Sequence, residues 1–498
     1  MVENGALNSD KTIKADVLVA EIGSTTTLVN AFSLGKASGL IGQAQQAPKL
    51  IGHGQAPTSV FGEDSDVQIG LKAAIKNLCH NLSTEEIEYD HFLATSSAAG
   101  GLRMTIHGLV YDMTVKAGKE AALGAGANIQ LATAGKLECD DLRQIDKISP
   151  NLILLAGGTD YGDRDVALHN AKLLSGLSCQ APIVYCGNIQ NHGAVSEIFN
   201  NAGRRLYITE NVYPRLDELN IEPIRALIHS AFEEHIVHAP GMQGIRNMVN
   251  GAIMPTPGAV MAAARLLYDD IGDLLVVDVV GATTDVHSVS HGAEDIVALQ
   301  ISPEPFAKRT VEGDLGVFVN ARNLAEMVGF DKLLAEISKG SEFGLDNGID
   351  IAKIFEDYRP IAQNPAQLAL TTRLSYHAAS IAICRHAGTL RYTYGATGRK
   401  THAMGKDLTM VKNLIATGGA LTRLPGRKNV LEALCNLNAS GLMLYPKPRV
   451  VSEGMSGEMP GGMGIMEDKR YIMASIGVLA RDFEDAARAL LLKYVVER

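Results

Sequence analysis

An α/β protein of two lobes, each opening on the same strand–turn–strand unit, is what this sequence predicts. Three observations carry that expectation. Apolar runs of strand length meet in hydroxyl-rich turns at 15–34, "ADVLVAEIGSTTTLVNAFSL", and again at 274–289, "LLVVDVVGATTDVHSV". Strand-like and helix-like periodicities alternate between and after them, the pattern of a parallel sheet. Proline and glycine cluster at 238–260, "HAPGMQGIRNMVNGAIMPTPGAV", and the plan restarts there. The 498 residues suffice for two or more domains, and 46% apolar residues can fill their cores.

In order along the chain, residues 1–14 read as a loose polar tail and 15–255 as the first lobe. Strand "HFLATSS" (91–97) leads through glycines into 111–135, where Ala and Leu recur at helical spacing and predict a long helix. "NLILLAGGTD" (151–160) is a buried strand ending in a Gly-Gly-Thr-Asp turn. A helix at 165–175, a strand at 181–188 and a short strand "RLYITENV" follow. The second lobe, 256–498, holds the strand pair 274–289, a long helix near 369–387, a strand at 411–416 and a closing helix "DFEDAARALLLKYVVE". The Met/Gly stretch 453–466 reads as a flexible loop, with a lid as the sharper alternative.

Composition narrows the function. A formal charge of −10 argues against nucleic acid and anionic membrane surfaces as partners. No apolar run approaches the roughly 20 residues of a membrane helix, and the polar N-terminus is no signal peptide. Six scattered cysteines with no CxxC pair fit reduced thiols in a cytoplasmic protein.

The turns carry the chemistry. The first reads Glu21-Ile-Gly23-Ser24-Thr25-Thr26-Thr27, the second Asp278-Val-Val-Gly281-Ala282-Thr283-Thr284-Asp285. Glycine lets backbone approach a bulky anion, successive turn N–H groups form an anion-binding concavity, and hydroxyls add short donors. Carboxylates repel phosphate, so they make sense with a Mg²⁺ ion, carrying its own waters, between them and the phosphate oxygens. A third turn, Thr417-Gly418-Gly419, ends a buried strand and can open a crevice for a ring and ribose. Each turn alone is also compatible with a plain polar hairpin; the three in this order favour a nucleotide.

The ordered set resembles the actin/hexokinase/Hsp70 ATPase superfamily, whose second phosphate motif is Asp-x-Gly-Gly-Gly-Thr-x-Asp. Asp278, Gly281, Thr283 and Asp285 match it, with Val280 and Ala282 in place of two glycines. Gly418, Gly419 and Pro425 resemble the adenosine turn, with one residue extra. Several blocks give a closer match: "SSAAGGLRMTIHGLV" (96–110), "GKEAALGAGANI" (118–129), "LILLAGGTDYGDRD" (152–165), "RTVEGDLGVF" (309–318) and "GKDLTMVKNLIATGG" (405–419). From about residue 15 to about residue 480 the chain resembles the MutL/GlmL family of glutamate mutase accessory proteins, unrelated to the mismatch-repair protein of similar name.

The resemblance implies a two-lobed actin/Hsp70-like, ribonuclease H-like ATPase fold, with an inserted α/β subdomain at about 95–250 in the first lobe. It implies ATP with Mg²⁺ in the central cleft, a slow ATPase acting as a reactivating chaperone, and adenosylcobalamin-dependent mutase subunits as partners. Asp278, Asp285 and Glu21 would hold the metal. Gly23 to Thr26, Gly281 to Thr284 and Thr417 to Gly419 would hold the nucleotide. Glu312, Asp314 and Asp285 would serve hydrolysis, a carboxylate orienting the attacking water. Glu21 stands where the family usually has Asp, and Leu28 where it has Lys. Both departures point to a side branch, with ornithine aminomutase as one client. A small-molecule kinase of the same fold and a non-hydrolysing scaffold remain alternatives, and nothing in the sequence opposes a homo-oligomer.

The remaining features have plainer readings. Asp160 and Asp314 can each cap a following helix. His235 and His238 have zinc-like spacing but no third ligand. Arg385-His386 reads as a structural pair at a helix end, and the basic run 391–400 as a solvated loop.

Overall fold

The computed structural model describes residues 12–23, 26–35, 47–58, 66–97, 102–125, 127–216, 218–236, 242–251, 253–339, 350–359, 361–395, 398–437, 441–447 and 463–497. Two units are distinguished. Unit 1 comprises Met1–Leu216, Asn220–Ala263 and Ile472–Lys493; unit 2 comprises Asp217–Leu219, Ala264–Tyr471 and Tyr494–Arg498. Ile472–Lys493, which the sequence order places in the second lobe, thus packs with unit 1.

Unit 1 begins with β1 (Ile13–Ile22), β2 (Thr26–Ser33), β3 (Lys49–Pro57) and β4 (Ile87–Ser96). Val17 to Ala20 and Ile22 are fully buried, as a central strand covered on both faces requires. An inserted sheet follows, made of β5 (Arg103–Gly108), β6 (Asn128–Ala134), β7 (Leu152–Leu155), β8 (Ile183–Tyr185) and β9 (Leu206–Ile208). Its order is β6-β5-β7-β8-β9, all parallel, a doubly wound arrangement. The long helix expected over 111–135 is shorter: a π-helical turn at Tyr111–Val115 runs into a helix that ends at Gly124, and 128–134 is β6. Pairing with β5 overrides the helical spacing there. The chain then returns as β10 (Ile253–Pro255) to complete the first sheet, β3-β2-β1-β4-β10. In it β1, β2 and β3 are antiparallel, and β1, β4 and β10 are parallel.

Unit 2 repeats this sheet. Its strands are β11 (Leu274–Val279), β12 (Thr284–Val289), β13 (Ala307–Glu312), β14 (Thr389–Gly395), β15 (Gly398–Met404), β16 (Asn413–Thr417) and β17 (Gly464–Glu467). The order β13-β12-β11-β16-β17, with β11 to β13 antiparallel and β11, β16 and β17 parallel, matches the first sheet strand for strand. The chain therefore has the actin/Hsp70-like α/β fold with its inserted subdomain. The helix Pro365–His386 covers one face, capped by Asn364, whose side chain accepts from Gln367 N, with Pro365 at its first position. Leu370, Leu374 and Ala378 of this helix join Val277, Val279 and Val286 in one core.

Two expectations change here. Within the stretch 391–400, residues 391–395 and 398–400 are strand rather than loop: β14 and β15 pair antiparallel as a separate ribbon, and 396–397 lie outside the described residues. Of the stretch 453–466, residues 453–462 lie outside the described residues, and Gly464–Met466 belongs to β17 rather than to a loop.

Candidate functional site

In unit 2 the second glycine turn links β11 to β12. Asp278 and Asp285 are direct cross-strand partners, as are Val279 and Thr284. Val280 N donates to Thr283 O at 3.1 Å and closes the turn. Its carbonyls are held from outside: Val317 N donates to Val280 O, and Phe318 N and Val319 N both donate to Gly281 O at 2.9 and 2.8 Å. Gly316 permits this docking, since a Cβ there would fall 2.3 Å from Ala282 O. The N–H groups of Gly281, Ala282 and Thr283 donate to no protein acceptor among the described residues, and the turn is half-exposed. A turn fixed by its carbonyls, with consecutive N–H groups left to the outside, suits an anion.

The third turn lies beside it. β16 pairs with β11, with Thr417 opposite Asp278. Gly418 has φ +82°, and a Cβ there would meet Asp278 Oδ1 at 2.4 Å and Val279 O at 2.5 Å. Only glycine fits both the conformation and the space. Gly419 is exposed. Thr417 is buried and donates its hydroxyl to Asp468 Oδ2 at 3.1 Å. Two of the three sequence-predicted turns are thus adjacent, with Asp278 between them.

The carboxylates separate by role. Asp285 is 5% exposed. Its Oδ1 accepts from Arg309 Nε at 2.9 Å and Nη2 at 2.5 Å, and its Oδ2 accepts from Thr283 Oγ1 at 3.1 Å. Both oxygens are engaged, so Asp285 orients Thr283 more readily than it ligates an ion. Thr284 lies on the opposite sheet face, buried, its hydroxyl donating to Leu315 O at 2.8 Å. Glu312 pairs with Thr284 across the ladder. Arg385, from the helix end, donates to Glu312 Oε2 at 2.5 Å and to both oxygens of Asp314 at 2.9–3.1 Å. Arg385 holds the Asp314 carboxyl below its ordinary range. Glu312 moves the other way, because burial outweighs the guanidinium. Asp314 is therefore no helix cap; the next helix starts after Asn320. Among the described residues no group of three or more His, Cys, Asp or Glu is arranged to hold a metal.

Unit 1 carries the counterpart. Gly23 N donates to Thr26 O at 3.0 Å, as Val280 does to Thr283. Ser24 and Thr25 lie outside the described residues. Glu21 pairs with Leu28 across the ladder, the positions of Asp278 and Asp285. Glu21 is 5% exposed. Its Oε1 accepts from Ser475 N at 2.9 Å and from the Ser475 hydroxyl, in the first turn of helix Met473–Leu479. That dipole end and the backbone N–H stabilise the carboxylate. Thr27 is buried, its hydroxyl 2.8 Å from that of Thr58; Thr26 is half-exposed.

Sequence reasoning missed Arg309, Asp468 and Ser475. Arg309 opposes His287 in the β12–β13 register and reaches Asp285 diagonally, a fact that no spacing in "RTVEGDLG" encodes. The helix Asp165–Ser175 has Arg164 at its N-cap position, so Asp160 does not cap it. Asp160 Oδ1 accepts from Ile189 N and Asn211 Nδ2, both at 2.9 Å, and ties the loops after β7, β8 and β9 together. The side chain of His235 and all of His238 lie outside the described residues.

A family model described as MutL protein matches residues 17–495. Protein MutL of Clostridium tetanomorphum is 36% identical over 493 residues, which is 96% of this chain and 99% of that protein. Among solved structures, a diol dehydratase-reactivating factor in nucleotide-free form aligns with 94% of this chain and 99% of its own, at 12% identity and a TM-score of 0.34. A carbohydrate kinase from Novosphingobium aromaticivorans aligns with 97% and 99%, at 9% identity and a TM-score of 0.31. Structural likeness at that level carries no weight for function, whereas the sequence match runs along nearly the whole chain. The chain belongs to the MutL protein family.

Proposed function

We propose that this chain is an ATP-binding accessory protein that reactivates an adenosylcobalamin-dependent mutase of the glutamate mutase or ornithine aminomutase type. The observation that carries the nucleotide part is the turn 280–283, whose Gly281, Ala282 and Thr283 N–H groups face no protein acceptor while Asp278 and Gly418 flank it. These N–H groups would bind phosphate oxygens, with the Thr283 hydroxyl steadied by Asp285. Asp278 would hold Mg²⁺ through water, and the ion would neutralise phosphate charge. The space over Gly418 and Gly419 would take the nucleoside. Glu312, half-buried and more basic than an ordinary carboxylate, is the better group to orient a water, because Arg385 engages only its Oε2 but both oxygens of Asp314. Glu21, Gly23 and Thr26 form the equivalent phosphate-turn candidates of unit 1. Hydrolysis would shift the chain between two states that differ in affinity for the mutase, since only such a difference can release a damaged cobalamin.

Buried Leu28, opposite Glu21, favours a second reading: a scaffold that binds nucleotide without turning it over. One assay separates the readings. Purified mutase inactivated with damaged cobalamin is incubated with this chain and ATP, ADP or a non-hydrolysable analogue, and free phosphate and recovered mutase activity are followed together. Phosphate release stimulated by the mutase, with recovery only in ATP, supports the reactivating ATPase. Recovery without phosphate release supports the scaffold. Phosphate transferred to a small molecule points to a kinase, and no recovery in any nucleotide refutes the proposal.

A further inference from the structure

The ribbon of β14 and β15 has no role in the nucleotide turns. Its base is tied on both sides. Leu390 N donates to Leu442 O at 2.8 Å, Ala403 N to Leu299 O at 2.8 Å, and Ile301 N to Ala403 O at 3.1 Å. Beyond the base the pairs Arg391–His402, Tyr392–Thr401, Thr393–Lys400 and Tyr394–Arg399 bond only with one another among the described residues. A two-stranded ribbon is at best marginally stable alone in water. Here the Arg399 guanidinium lies 4.5 Å from the Tyr392 ring centroid, and Thr393 Oγ1 lies 3.0 Å from His402 Nε2. These contacts hold the ribbon's shape without covering it: Tyr392 is 40% exposed and Tyr394 80%.

The charge along this stretch of the chain is one-sided. The chain has 55 acidic and 45 basic residues, yet from Tyr358 to Lys406 there is no Asp or Glu and there are seven Lys or Arg. Three of the seven, Arg391, Arg399 and Lys400, are exposed on the ribbon. One face presents Tyr392, Tyr394 and Arg399, the other Arg391, Thr393, Lys400 and His402. Cations on a free edge discourage chance strand pairing. That accounts for Lys400, but not for two exposed tyrosines or for the missing acids. Exposed Tyr and Arg together are the residue types that dominate the energetics of protein interfaces.

We infer that the β14–β15 ribbon is a docking finger for an acidic protein surface. Resting on the function proposed above, that surface belongs to the mutase. Its carboxylates pair with Arg391, Arg399 and Lys400, and a hollow with a hydrogen-bond acceptor receives the Tyr394 ring and hydroxyl. Nucleic acid is the poorer fit: the chain as a whole is at −10, and three cations offset few phosphates.

Binding of the full-length chain to purified mutase, measured in real time at low and high salt, tests this. Arg391→Glu/Arg399→Glu/Lys400→Glu should weaken binding about tenfold or more, chiefly through slower association at low salt. Tyr394→Ala should instead speed dissociation. Nucleotide affinity and unfolding midpoint should stay at wild-type values in both; should the reversed variant misfold, the milder Gln triple substitution replaces it. Variants that bind the mutase as the wild type does overturn the finger and leave the proposed function standing. A wild-type chain that binds no mutase at either salt overturns both. A single-stranded oligonucleotide bound more tightly than the mutase, and lost with the triple substitution, assigns the ribbon to nucleic acid and overturns the inference.

Discussion

Gly418 stands at φ +82° with Asp278 Oδ1 2.4 Å from where its Cβ would be. Gly418→Ala is therefore strained by roughly 1–3 kcal/mol in backbone alone and must also push Asp278 aside. It should lower the unfolding midpoint and weaken ATP binding about tenfold or more in a titration. Wild-type affinity in that variant would show that the two turns do not share a ligand. Arg309 and Asp285 form a buried ion pair. Arg309→Met strands the carboxylate, which should cost about 3–5 kcal/mol in chemical denaturation, and Asp285→Leu in the same chain should recover most of it. An additive double variant would contradict that pairing. Asp278 and Asp285 are legible in sequence because their spacing spans one hairpin. Arg309 is not, because its contact depends on the register of a third strand.

At the level of elements, the two hairpins share one hydrogen-bonding plan, and the pair below the turn differs in charge: Asp278 faces Asp285, whereas Glu21 faces Leu28. Charge-assisted hydrogen bonds contribute about 1.5–3 kcal/mol, so Leu28→Lys should raise ATP affinity or turnover by roughly tenfold. Unchanged values for both would mean that this position does not face phosphate. The hairpins, the inserted parallel sheet and the helix Pro365–His386 could be read from periodicity and turn residues. The end of helix Lys116–Gly124 and the ribbon at 389–404 could not. Both depend on strand partners, β5 for the one and the second arm of the ribbon for the other, which local spacing does not report.

Across the whole molecule, the repeated sheet order was expected from the restart near residue 256, but the return of Ile472–Lys493 to unit 1 was not. A chain that comes back to its first unit leaves no local signal. Burial also sets a response to acid. His107, His287 and His386 are fully buried and held neutral, the first pushed down to about 3 and the others well below 6.5, in each case chiefly by burial. A folded value below the unfolded one gives stability that is complete above about pH 6.5. It is lost as pH falls below that, by about 1.4 kcal/mol per pH unit for each histidine. The unfolding midpoint should drop steeply on acidification through this range. His287→Leu should flatten the fall, because neither ring nitrogen has a hydrogen bond to lose; an unaltered slope would contradict a neutral, buried His287.

The most direct measurement is calorimetric titration of ATP into the full-length chain and into Asp278→Asn, with and without Mg²⁺. Binding that depends on Mg²⁺ in the wild type and falls about tenfold or more in the variant is the predicted result. No ATP binding by the wild type, or equal affinity in Asp278→Asn, would contradict a nucleotide site at the turn 280–283.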